Sequence, residues 1–148
     1  MNALILLLLV GSCAQSSYGY KYKDTVKEVN EVRELCVTQN NLSRPKTDTI
    51  WVPGDVSEDD GDIQSFFQCL FKKLGMADSF NQVNYDNLKK YVPAFIEIVF
   101  GEGTDVDKLT EGVMNNCMSL MEQVQVVPKQ FVKLRNCGSA YVQSNIFE

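Results

Sequence analysis

The sequence predicts an all-α domain of five or so helices. Apolar residues recur at helical spacing over several long stretches. No stretch alternates as a half-buried strand does, and glycine, proline and capping residues fall where the helical stretches begin and end. The β-prone run Thr49 to Val52 is short and closes in Pro53-Gly54. At 148 residues, 45% of them hydrophobic, the chain is one domain able to bury a real core.

The elements follow in order. Ala3 to Val10, ALILLLLV, is an apolar run too short to span a bilayer, and Ser12, Ala14, Ser16, Ser17 and Gly19 follow it. This is the pattern of a secretory signal peptide over residues 1–19, cut after Gly19 or after Ala14, ahead of a domain over 20–148. From Asp24 to about Asn40 an apolar stripe runs through Val26, Val29, Val32, Cys36 and Val37, with Asp24 or Thr25 available as cap. Ser43 to Asp60 holds Pro45, Pro53, Gly54 and the acidic run Ser57 to Asp60, and reads as a solvated loop leading to an Asp62 cap. The clearest helix carries Ile63, Phe66, Phe67, Leu70 and Leu74 and stops at Gly75.

Tyr85 to Phe100 aligns Leu88, Tyr91, Val92, Phe95 and Val99, with Pro93 either beginning a helix or kinking one, and Gly101 to Gly103 ending it. Asp105 to about Val124 aligns Val106, Leu109, Val113, Cys117, Leu120, Met121 and Val124 behind an acidic first turn. Pro128 suits the first turn of a last helix through Phe131, Leu134, Cys137 and Tyr141, and the tail after Gly138 reads as irregular.

Composition excludes several functions. With 14 Lys+Arg against 19 Asp+Glu the net charge is -5, which disfavours nucleic acid and anionic membranes. No later apolar run is long enough for membrane insertion. The chain has no histidine, so it lacks the usual general base, the commonest metal ligand and the side chain that changes charge near neutral pH. Neither an enzyme nor a metal site nor a bound cofactor is expected.

Signal cleavage removes Cys13 and leaves Cys36, Cys69, Cys117 and Cys137 in a chain bound for an oxidising space. An even count there argues for two disulfides, with three pairings open. Cys117 and Cys137 lie on successive helices that antiparallel packing can bring together. Asn41-Leu42-Ser43 is an N-glycosylation sequon at the end of the first helix.

The lone cysteine of the first helix, the stretch FFQCLFKKLGM and the Asn136-Cys137 pair near the end, in this helix order, resemble the insect odorant-binding protein family of pheromone and general odorant-binding type. That family has six cysteines, the second four residues before the third and the fifth nine before the sixth. Ser65 and Pro128 stand at those two positions here, a paired loss that resembles the minus-C branch. The resemblance implies bridges Cys36–Cys69 and Cys117–Cys137, each worth about 3–4 kcal/mol by loop closure. It also implies a compact bundle of about six helices around an apolar cavity, in which the missing third bridge leaves the third helix free of the last. The implied function is a secreted carrier of small hydrophobic ligands, odorant, pheromone or lipid-like, with a membrane receptor as a further partner.

Candidate cavity walls are Phe66, Phe67, Leu70, Leu74, Tyr91, Phe95, Met114, Met118, Met121, Phe131, Leu134 and Tyr141. The same stripes also serve as plain core. Met114, Met118 and Met121 at i, i+4 and i+7 of one helix suit a wall that fits several shapes. The hydroxyl of Tyr91 or Tyr141 suits a ligand's carbonyl or alcohol. Trp51 either caps an entrance or packs against the first helix, packing being the stronger reading. Two alternatives remain: a binder of amines or lipids in saliva, venom or reproductive fluid, with Glu97 as candidate amine partner, and a helical interaction protein with a filled interior. A cavity of several hundred cubic ångströms favours carriage over the latter.

Overall fold

A computed structural model describes residues 21–101, 105–122 and 126–146. The expected signal peptide with Cys13, and Gly103, Thr104, Val124, Phe147 and Glu148, lie outside the described residues. The described chain forms six α-helices: α1 (Lys23–Gln39), α2 (Arg44–Asp48), α3 (Gly61–Lys73), α4 (Tyr85–Phe100), α5 (Val106–Cys117) and α6 (Pro128–Asn145). Two 3-10 turns, Thr49–Trp51 and Met118–Met121, complete it, and no strand occurs among the described residues.

Local chemistry sets the helix ends. The N-terminus of α1 follows Tyr22 without a side-chain cap, and Thr25, expected to cap it, instead donates its hydroxyl to the Tyr22 carbonyl at 2.9 Å. For α3 the cap is Asp60 rather than Asp62: an Asp60 oxygen accepts from the N–H groups of Asp62 at 2.9 Å and Ile63 at 3.2 Å. The Asp62 carboxylate reaches back to the Ser43 N–H at 3.3 Å. The stretch read as solvated loop thus contains α2, whose Pro45 sits in the first turn where no N–H is needed, and the Thr49–Trp51 turn that buries Ile50 and Trp51.

Gly75 ends α3 as expected. At φ +68 it lets its own N–H bond Lys72 O at 3.1 Å and the next N–H, of Met76, bond Phe71 O at 2.8 Å, which turns Met76 into the core. A Cβ there would stand 2.7 Å from Asn87 Nδ2. Pro93 lies inside α4 rather than at its start. Helix α5 ends at Cys117, earlier than its apolar stripe predicts. The Asn116 side chain takes the Gly112 carbonyl at 2.7 Å, and the chain tightens into the Met118–Met121 turn. At the other end, α6 runs through Gly138 to Asn145, because Gly138 faces Val113 and Val142 is buried beyond it.

Five helices close a ring, in which α1 packs on α4, α4 on α5, α5 on α6, α6 on α3, and α3 on α1. Both disulfides lie across these contacts. Cys36–Cys69 ties α1 to α3 with Cα atoms 5.7 Å apart, and Cys117–Cys137 ties α5 to α6 at 5.8 Å. No bridge joins α3 to α6 among the described residues; they meet by packing alone, with Phe71 and Phe131 stacked at centroids 4.2 Å apart.

Candidate functional site

Inside the ring lies an apolar cavity with about 90 Å³ open to the centre of a water-sized sphere; all of its space not filled by atoms, open solvent included, is about 710 Å³. The smaller figure measures the room available without movement. Roughly 150 Å³ suffices for a benzene-sized guest, so anything larger requires the walls to yield or the mouth to take part of it.

Four helices, both 3-10 turns and the turn after α3 build the walls. Helix α3 supplies Phe67 and Phe71; α4 supplies Leu88, Val92, Phe95, Ile96, Val99 and Phe100; α5 supplies Val113. Helix α6 adds Leu134, Arg135, Gly138, Ser139 and Val142, and the 3-10 turns add Ile50 and Met118, with Met76 from the turn after α3. The presence of two methionines gives the wall side chains that reshape at low cost.

Of the twelve candidates, Phe67, Phe95, Met118 and Leu134 border this cavity. Phe66, Leu70, Leu74, Met121 and Phe131 are buried in the surrounding core. Tyr91 turns its hydroxyl away to Glu28 Oε1 on α1 at 2.7 Å, and burial first, then Glu28, pushes its pKa up to about 12. Tyr141 packs its ring end over Gly112 of α5, where a Cβ would meet it at 2.0 Å. Met114 faces a polar groove on the outside of α4 and α5, alongside Lys90 and Asp107. The three methionines do not share one helix, since Met118 and Met121 belong to the 3-10 turn. Glu97 does not border the cavity.

Trp51 packs inside rather than capping an entrance. Its ring stacks on Phe95 at 5.6 Å with planes 5° apart, meets Phe66 edge-on at 6.0 Å, and carries the Arg33 guanidinium 4.7 Å from its centroid.

Arg135 and Ser139 are the polar side chains of the wall, and the sequence reading missed both. The Arg135 guanidinium donates to Ile50 O (Nε 3.2 Å, Nη2 2.7 Å), to Val52 O at 2.6 Å, to Gly54 O and to Asn136 Oδ1 at 3.4 Å. Burial pulls its pKa below the ordinary value, against a weaker opposing pull from Asp55. Asn136 pairs with both backbone groups of Val56, at 3.0 and 2.9 Å, and Ser139 Oγ accepts from Gly54 N–H at 3.4 Å. Three polar residues of α6 therefore strap the 50–56 segment against the cavity.

Among the described residues no group of histidine, cysteine, aspartate or glutamate is arranged to hold a metal, and no helix is long and apolar enough to cross a membrane. Asn41 is exposed in the turn after α1, with φ 51. Residues 21–143 match the model of the PBP/GOBP family. No curated protein matches the sequence significantly.

Proposed function

The chain belongs to the PBP/GOBP family, and on that premise we propose that it is a secreted carrier whose cavity inside the helix ring binds small hydrophobic ligands. The observation that carries this reading is the apolar void itself, which meets walls from α3, α4, α5, α6 and both 3-10 turns. A helix bundle evolved only for stability fills such a space, because an unfilled void forfeits contacts on every side.

Phe67, Phe95, Met118 and Leu134, with the neighbouring Phe71, Val92 and Ile96, form the binding wall in this reading. The absence of cysteine at Ser65 and Pro128 supports membership of the minus-C branch. Secretion with removal of residues 1–19 fits the two disulfides, Asn41 is open to glycosylation, and a membrane receptor is the natural recipient of the cargo.

The small room for a guest, about 90 Å³, favours a second reading, a helical interaction protein with a nearly filled interior. Native mass spectrometry of the protein as secreted separates the two. A co-purifying neutral ligand, or uptake of added C6 to C12 volatiles at one per chain, is the expected result. A chain that stays empty against such a panel supports the second reading instead. The same spectra report the disulfides and the glycan.

A further inference from the structure

Resting on the carrier reading, we propose that the cavity selects neutral ligands bearing one hydrogen-bond acceptor, a ketone, ester, aldehyde or alcohol, which the hydroxyl of Ser139 engages, and that it excludes carboxylates.

The hydrogen-bonding capacity of the wall leads to this. Arg135 is the obvious partner for an acid, yet its five N–H groups are all engaged, four on backbone carbonyls of Ile50, Val52 and Gly54 and one contact on Asn136 Oδ1. A carboxylate brought here finds a positive charge whose donors are already committed. To hydrogen-bond the guanidinium it must break the strap, and the one donor left at the wall, on Ser139, does not offset the far larger desolvation cost of a carboxylate, whereas it suffices for a neutral acceptor.

Ser139 is different. It is only 6% exposed and borders the cavity. Its oxygen accepts from Gly54 N–H at 3.4 Å, while its own hydrogen has no acceptor among the described residues, not even the carbonyl one turn back that a helical serine commonly uses. A buried hydroxyl with an unspent donor at an apolar void is matched by one uncharged acceptor oxygen. The Gly54 N–H also polarises the hydroxyl and strengthens its donation.

Equilibrium dialysis of octane, 2-octanone and octanoate at pH 7, with gas-chromatographic readout, tests this on the oxidised protein. In the wild type 2-octanone binds at least ten-fold more tightly than octanoate. In Ser139→Ala its affinity falls about three- to ten-fold while that of octane changes less than two-fold. Octanoate binding as tightly as 2-octanone overturns the proposal, and this arm needs no variant to fold. Equal losses for octane and 2-octanone in Ser139→Ala, or no loss for either, overturn it as well. If the wild type takes up none of the three, the carrier reading falls and the proposal with it; uptake of octane alone defeats only the proposal.

Discussion

Arg135 brings a positive charge to the edge of an apolar cavity and satisfies it with carbonyl groups rather than with a carboxylate. Those carbonyls belong to the Thr49–Trp51 turn and to the stretch after it, which has no regular structure, so the side chain does for 50–54 what a helix ladder does elsewhere. Arg135→Met keeps the apolar stem and removes the donors. It is expected to lower the free energy of unfolding by on the order of 3 kcal/mol, read from urea denaturation, because the carbonyls of Ile50, Val52 and Gly54 lose their shared partner together, that of Ile50 in the core. Legibility at this scale was partial. Phe67, Phe95, Met118 and Leu134 were found because helical spacing marks the inward face, but spacing does not say which inward residues meet a void and which meet one another, so Phe66 and Phe131 read the same. A charged residue inside an apolar stripe reads as solvent-facing, which hid Arg135.

At the scale of elements, caps and cross-links decide where helices end and how firmly they are held. Asp60 caps α3 and also pairs with Lys46 at 3.0 Å. Lys46 first, then the Ile63 N–H, hold its carboxyl below the usual aspartate value of 3.8. Its contribution is thus complete above that value and is lost as pH falls through the lower folded pKa. The urea midpoint is expected to be flat from pH 7 to 5 and to fall toward pH 3. Asp60→Asn, which still caps, should show a shallower acid limb than wild type. Glu34 beside Arg44, Asp59 beside Lys129 and Asp107 beside Lys21 and Tyr22 are shifted the same way and add to the limb that remains.

Bridge removal belongs to this scale too. Replacing Cys36 and Cys69 by serine is expected to cost about 3–4 kcal/mol, and roughly 0.4 kcal/mol more than the same change at Cys117 and Cys137, since the closed loops span 33 and 20 residues. Thermal denaturation of the two double variants compares them. The long helices were legible because each carries two or more turns of apolar periodicity. Helix α2, with five residues, is too short to show a period, and the early stop of α5 depends on a side chain capturing a carbonyl, which no apolar pattern records.

For the whole molecule, the closed ring means that each of its helices is held on two sides, and α1 buttresses the cavity without bordering it. Ligand affinity is expected to change less than two-fold between pH 7 and 5.5. The chain has no histidine, and the one charged group at the wall, Arg135, stays protonated across that range. Equilibrium dialysis of one neutral volatile at both pH values checks it. The all-helical architecture and the two bridges were legible from patterning and from the cysteine resemblance, whereas the cavity's size depends on how rings and thioethers interlock and has no counterpart in sequence periodicity.

The stack of Trp51 on Phe95 makes the protein its own optical sensor. Phe95 has one face on the lone indole and belongs to the wall of the void, so a guest that pushes that ring changes the surroundings of a single chromophore. Titration with a ligand that enters the bundle should alter the emission maximum or intensity of Trp51 in a saturable way, and Phe95→Leu should shift the resting emission and blunt its response to the ligand. A molecule adhering to the outer groove beside Lys90 and Asp107 should leave that emission silent.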